Sequence, residues 1–294
     1  LSGKQERAMA IDVDTKLVGL LGYPLGHSLS PVMHNRAFAT LGLNFHYLPI
    51  QVTEAHLPTV AAGLACMNFA GYNVTIPHKI AIMAHLDAID DLARVIGAVN
   101  TVVLHEGRAT GYNTDGAGYV RALETEAGIA VEARTIVVLG CGGAARAIAM
   151  TLAFRGVREL TLCNRTAEKA HALAADINSR VRPCCRVAPM EPAALEAALA
   201  GAEVLINTTS MGMHPQEDRL PVEAGLLHRD LIVSDIVYNP RETRLLREAA
   251  ARGCRVVHGL GMLVFQGVEG FQRWTGQEAP VEVMFEALRE KLGG

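Results

Sequence analysis

Three polar clusters in the first 115 residues hold groups suited to anion binding and proton transfer. Gly26-His27-Ser28-Leu29-Ser30-Pro31 sets two hydroxyls where a proline starts a helix, and Ser30 reads as its N-cap. The amides and dipole of a helix start favour an anion, so Ser28 and Ser30 could seat a carboxylate, with His27 beside them. Asn73-Val74-Thr75-Ile76-Pro77-His78-Lys79 runs off an apolar strand into a proline turn and delivers a hydroxyl and an amine. Asn100-Thr101 and Gly111-Tyr112-Asn113-Thr114-Asp115 add amides and a carboxylate, with Asp115 as N-cap of a helix over Gly116–Ala127. Taken singly, a solvated lysine and a capping aspartate are the ordinary roles of such residues. A lysine, an aspartate, asparagines and hydroxyls together at the ends of α/β elements suit a small polyhydroxylated acid and the movement of one proton.

A second kind of site begins mid-chain. Thr135–Leu139 is an apolar, β-branched run that breaks into Gly140-Cys141-Gly142-Gly143-Ala144-Ala145 and then into helix formers. The pattern is G-x-G-x-x-A. Glycines there let the backbone turn sharply and approach a pyrophosphate, which the following helix start then holds. A carboxylate about 20 residues further on would select NAD. This chain instead has Asn164-Arg165-Thr166, with Lys169 one turn later, donors suited to a 2′-phosphate, so the site reads as built for NADP. The ordinary alternative is a solvated turn in which Thr166 caps the next helix. Asn207-Thr208-Thr209-Ser210-Met211-Gly212 brings small polar groups to the end of a later strand, where Thr208 and Met211 are candidate cofactor contacts and Gly212 serves a turn.

The elements that position these groups alternate between strand-like and helix-like segments, which predicts an α/β fold. Strands are expected at Leu17–Leu21, Phe45–Ile50 and Gly71–Ile76. Helices are expected at Pro31–Leu41, Glu54–Leu64 and Leu86–Ile96, with a hairpin from Val99–Leu104 and Ala109–Tyr112. Further strands are expected at Thr135–Leu139, Leu160–Cys163, Val204–Asn207, Leu231–Asp235 and Arg255–Val257. Ala193–Ala200, Leu263–Trp274 and Val281–Leu292 read as helices. The predicted division is a substrate domain over 1–114, completed by 259–294, and a Rossmann-type domain over 115–258. With 294 residues, half of them hydrophobic and 19% charged, two globular cores are expected. A net charge of −3 offers no field for nucleic acid or acidic membranes. No apolar run approaches a membrane span, and the charged first sixteen residues predict no signal peptide. Six cysteines without C-x-x-C spacing suit free thiols in a reducing cytoplasm and neither a disulfide framework nor a metal site.

These clusters, together with Gly97-Ala98-Val99-Asn100-Thr101, Asn207–Met213, Val237-Tyr238-Asn239-Pro240 and Gly259–Gly267, resemble the motifs of the shikimate dehydrogenase family. The matches fall in order along nearly the whole chain. The resemblance implies two α/β domains and NADP-linked interconversion of shikimate and 3-dehydroshikimate. It makes Lys79 and Asp115 the catalytic pair and gives the substrate carboxylate to Ser28 and Ser30. Thr75, Asn100, Tyr238 and Gln266 complete the pocket. The cofactor falls to Gly140, Gly142, Gly143 and Ala144, to Asn164, Arg165, Thr166 and Lys169, and to Thr208, Met211 and Gly259. Two departures stand out: Cys141 replaces the alanine usual in the loop, and Tyr238–Thr243 is as similar to the quinate/shikimate branch as to the strict biosynthetic one. The small-molecule partner is therefore shikimate, with quinate as the alternative, and a homodimer is compatible with the resemblance. Competing readings are a catalytically silent NADP-binding sensor and a methylene-tetrahydrofolate dehydrogenase. The retained lysine, aspartate and serine pair argue against the sensor, and the compact carboxylate seat argues against a folate.

Overall fold

A computed structural model describes residues 11–26 and 28–293, so His27 lies outside the described residues. Contacts divide the chain into two compact units. The first takes the chain up to Ala93, then Gly97–Tyr112 and the segment from Gly267 onward; the second takes Arg94–Ile96 and Asn113–Gln266.

The first unit follows the order β1 (Lys16–Gly22), α1 (Ser30–Thr40), β2 (Phe45–Gln51), α2 (Leu57–Ala65), β3 (Phe69–Val74), β4 (Ala88–Ile89), α3 (Asp91–Ile96), β5 (Thr101–His105) and β6 (Arg108–Tyr112). Its six strands lie in the order β2-β1-β3-β5-β6-β4. β1, β2 and β3 run parallel, and β5 and β6 form the antiparallel hairpin expected across Glu106-Gly107. Apolar residues from the sheet and α2, among them Leu21, Tyr72, Val74, Val102, Leu57 and Leu64, close one core. The end of the chain also packs onto this unit. Gly71 permits this: a Cβ there would lie 2.4 Å from Trp274 Nε1, which donates to Val102 O at 3.0 Å.

The second unit runs α4 (Thr114–Ala127), β7 (Thr135–Leu139), α5 (Gly143–Phe154), β8 (Glu159–Cys163), α6 (Ala167–Arg180), β9 (Cys185–Ala188) and α7 (Pro192–Leu199). It continues with β10 (Val204–Asn207), β11 (Ile232–Asp235), α8 (Arg244–Ala251), β12 (Arg255–Val257) and α9 (Gly259–Thr275), whose second half belongs to the first unit, as does α10 (Val281–Leu292). All six strands are parallel, in the order β9-β8-β7-β10-β11-β12. Numbered within the unit, that order is 3-2-1-4-5-6, the arrangement of dinucleotide-binding sheets, with the switch between β7 and β10. β7 is buried at every position, as an apolar strand covered on both faces must be.

Several expectations are corrected. The segment 86–96 is not one helix: it forms β4 and then α3, because Asp90 accepts from the Leu92 and Ala93 amides and starts a helix there. The helix expected from Glu54 opens as a 3-10 turn, and α2 proper starts at Leu57 ahead of Pro58. β9 is an addition to the expected strands; it is an edge strand of four residues with the exposed Arg186 inside it, too short for its alternation to stand out. α9 starts at Gly259, not Leu263. A Cβ at Gly259 would lie 2.5 Å from the carbonyls of Ile236 and Val237, and one at Gly261 would lie 2.3 Å from Glu126 Oε1. Those close approaches seat the first turns of α9 on the second unit, which therefore runs to Gln266 rather than to residue 258.

Candidate functional site

In the second unit, a cavity of about 330 Å³ opens where β7, β8 and β10 end. Gly140, Gly142, Asn164, Arg165, Thr166, Lys169, Thr208 and Met211 all line it. Gly140 has φ +98°, and a Cβ there would lie 2.7 Å from Thr208 Oγ1, so only glycine fits. At Gly142 and Gly143 a Cβ would meet nothing within 4 Å, which leaves an open cradle over the start of α5. Gly142 is the N-cap of α5 and brings no side chain to its amides. These features fit a dinucleotide pyrophosphate. Thr166 stands at the N-cap of α6 but its hydroxyl makes no capping bond, and Asn164 Nδ2 donates to Thr166 O at 2.7 Å. No carboxylate lines the cavity among the described residues, while Arg165 and Lys169 do, as a 2′-phosphate requires.

Gly143 and Ala144 open α5 just beyond the lining residues, and Gly259 packs under the backbone at 236–237, where its role is close approach. The lining also includes Cys141 of the glycine loop, together with Cys163, Met190 and Pro221, which sequence reasoning did not assign to the cofactor. Met190 follows the overlooked β9, so recognising that strand would have exposed it. Burial pushes the thiols of Cys141 and Cys163 up to about 11, so both are neutral at pH 7.

The residues expected to bind substrate divide between the units. In the first, Thr75 and Lys79 follow the end of β3, Asn100 precedes antiparallel β5, and Ser28 and Ser30 stand between β1 and the first turn of α1. Thr75 N donates to Leu21 O at 2.8 Å, and Val74 N donates to Asn100 O at 2.8 Å. Val99 N donates to Lys79 O at 2.8 Å, which anchors the lysine's backbone beside Asn100. Gly22 makes the end of β1 tight against that of β3: a Cβ there would stand 2.4 Å from Thr75 Cγ2. Asn73 is buried beneath these groups, donating to Asn100 O and Thr101 Oγ1 and accepting from the Tyr47 hydroxyl at 2.7 Å. Ser30 is not the N-cap. Leu29 holds that position, α1 starts at Ser30, and Ser28 Oγ accepts the Ser30 amide at 3.4 Å.

In the second unit, Asp115 lies in the first turn of α4. Asn113 is the N-cap and accepts the Asp115 amide at 3.2 Å, so the capping role falls to Asn113 and not to the aspartate. Gln266 sits on α9 with its Nε2 donating to Leu263 O, and Gly118 of α4 lets the two helices meet there. Tyr238 follows β11, whose last residue, Asp235, is wholly buried. Burial pushes the Asp235 carboxyl up to about 6 against three hydrogen bonds that favour its charge.

A 3-2-1-4-5-6 sheet with a glycine cradle and a cationic ribose end, joined in one chain to a mixed α/β unit bearing a lysine and hydroxyls, defines a dinucleotide-dependent oxidoreductase of two units. Residues 20–102 match the shikimate dehydrogenase substrate-binding domain, 123–243 match shikimate / quinate 5-dehydrogenase, and 259–289 match the shikimate 5′-dehydrogenase C-terminal domain. A relative from Methanopyrus kandleri, named shikimate dehydrogenase (NADP(+)), is 46% identical over 97% of this chain and 99% of its own. The crystal structure of Listeria monocytogenes shikimate 5-dehydrogenase with shikimate and NAD is 40% identical, with TM-score 0.91, over 95% of this chain and 98% of its own. That of the Thermus thermophilus enzyme with NADP(H) and shikimate is 38% identical, with TM-score 0.83, over 94% and 99%. The chain belongs to the shikimate dehydrogenase family.

Proposed function

We propose that this protein is an NADP-dependent oxidoreductase that interconverts shikimate and 3-dehydroshikimate. The observation that carries the reading is the near-full-length likeness to a relative named for that activity, in a chain whose cofactor cavity carries Arg165 and Lys169 and, among the described residues, no carboxylate. The bound nicotinamide supplies the hydride chemistry; the chain supplies placement and proton transfer. In the oxidative direction, the reacting hydroxyl gives its proton to Lys79 as the carbon loses hydride, and the steps reverse in reduction. Asp115 orients the lysine. Ser28 and Ser30 seat the carboxylate, while Thr75, Asn100, Tyr238 and Gln266 fix the ring hydroxyls. Placing the enzyme in the cytoplasm is part of the proposal, supported by six cysteines that are all free. No helix among the described residues is long and apolar enough to cross a membrane. A homodimer belongs to the proposal too, and sedimentation velocity of the purified chain tests it.

Quinate is the second substrate to weigh, because the profile matching 123–243 is named for both acids. Steady-state rates with shikimate and quinate, each against NADP and NAD, decide between a strict and a relaxed enzyme. Lys79→Ala tests the proton-transfer role. It should cost kcat at least about 100-fold, with the NADP dissociation constant nearly unchanged, since Lys79 lies in the other unit. Retention of more than about a tenth of wild-type kcat would exclude general acid–base work by this lysine.

A further inference from the structure

We infer that Asp235 is a positioning residue whose buried carboxylate holds both the cofactor loop Thr208–Met211 and the loop carrying Tyr238 to the end of the parallel sheet. The half that concerns Tyr238 rests on the proposed substrate reading; the half that concerns the cofactor loop does not.

Asp235 ends β11 directly beside Asn207, the last residue of β10. One carboxylate oxygen, Oδ1, accepts from Asn207 Nδ2 and from the Val237 amide, each at 3.0 Å; the other accepts from Thr243 Oγ1 at 2.8 Å. All three of Asp235, Asn207 and Thr243 have no exposed surface. An ionised carboxylate only accepts, so Asn207 must turn its NH2 toward it and its carbonyl oxygen the other way. That oxygen takes both the Thr209 amide, at 3.1 Å, and the Thr209 hydroxyl, at 2.7 Å. The Thr209 hydroxyl oxygen then accepts the Met211 amide at 3.2 Å. A directional relay thus runs from the carboxylate to Met211, a lining residue of the cofactor cavity. Reversing the Asn207 amide would put two donors face to face at Thr209.

The Tyr238 loop is held from two sides. Its Val237 amide is bound to Asp235, and the carbonyls of Ile236 and Val237 lie against Gly259 so closely that a Cβ would stand 2.5 Å from each. Thr243 forms the third arm, donating to Asp235 while it caps α8 through the Leu246 amide. No cation among the described residues pairs with the carboxylate, and burying such a charge is costly. Cap and turn alone could be satisfied by a neutral side chain. What Asp235 adds is an acceptor, Oδ1, shared by Asn207 and the Val237 amide, which fixes the direction of the bonds running from it to the cofactor loop.

The experiment compares Asp235→Ala, Asp235→Asn, Asn207→Ala and Thr243→Val, with melting temperature, NADP dissociation constant by fluorescence titration, and steady-state kinetics on shikimate. Asp235→Ala should weaken NADP about tenfold and also raise the KM for shikimate, because it frees both loops. Asp235→Asn keeps an acceptor for Asn207 and Val237 and can turn its amide to the Thr243 hydroxyl, so it should restore NADP binding to within about threefold of wild type. Asn207→Ala should weaken NADP by about fivefold or more while leaving the shikimate KM near wild type, a split that general loosening would not produce. Thr243→Val should lower the melting temperature alone. The proposal is overturned if folded Asp235→Ala binds NADP and turns over shikimate as wild type does, or if Thr243→Val weakens NADP as much as Asp235→Ala. If Asp235→Ala does not fold, Asn207→Ala decides, and an unchanged NADP constant there overturns the proposal. A wild type that binds NADP but ignores shikimate would refute the substrate reading while the NADP titrations still judge Asp235.

Discussion

Arg165 and Lys79 show how differently single residues disclose themselves. Arg165 was legible from its place about 20 residues beyond the glycines, where a doubly wound fold selects its cofactor. The structure sets it in the cavity with Lys169, on the exposed approach to α6. Its replacement by alanine should weaken NADP by about tenfold or more, the loss of one charge-assisted hydrogen bond, and leave NAD almost untouched. Equal losses for both cofactors in a fluorescence titration would dismiss the 2′-phosphate assignment. Lys79 by contrast looks like any turn lysine in the sequence, and only its company of motifs singles it out. Asp235 and Met190 were illegible for a further reason. A buried aspartate is ordinary until its donors are seen, and a methionine after a weak strand carries no signal of its own.

Among the elements, the long apolar strands and helices were readable because burial on both faces leaves an unbroken pattern, as in β7. The failures came where pattern and hydrogen bonding disagree. Apolar spacing runs through 86–96, yet Asp90 supplies a cap in the middle of it. β9, four residues long and interrupted by the exposed Arg186, is too short to announce a strand. The placement of Thr75 depends on the junction between the ends of β1 and β3 more than on any side chain. Gly22→Ala would place a Cβ 2.4 Å from Thr75 Cγ2 and 2.7 Å from Leu25 Cδ2. It should cost about 1–3 kcal/mol of stability through overpacking. Because Thr75 must move, the shikimate KM should rise about fivefold, with NADP affinity, a property of the other unit, unaltered. Calorimetry and steady-state kinetics read the two effects separately.

On the scale of the molecule, the first unit carries an acid sensitivity in its core. His34 is wholly buried, stacked on Tyr47 with ring centroids 4.7 Å apart and close to Phe271 and Trp274. Neither ring nitrogen has a hydrogen-bond partner, and burial pushes its pKa from 6.5 down to about 3. Below pH 6.5 the unfolded chain takes up a proton that the native imidazole refuses. Stability is therefore full above that pH and falls as pH drops toward about 3, by an amount on the order of a few kcal/mol. His34→Phe keeps an aromatic ring and removes the proton site. Urea midpoints measured from pH 7 to pH 4 should decline more steeply for wild type than for the variant; parallel curves would show that the imidazole is not the source.

The shared helix α9 has a consequence for the order in which the chain can fold as it leaves the ribosome. All segments of the second unit have emerged once Gln266 is out, whereas the first unit, although its strands come first, still waits for Phe271, Trp274 and α10. Domains ordinarily close in the order of synthesis. Here the amino-terminal sheet is made early and sealed last, so its apolar face stays uncovered while the whole dinucleotide unit is synthesised, and is closed only after that unit is complete.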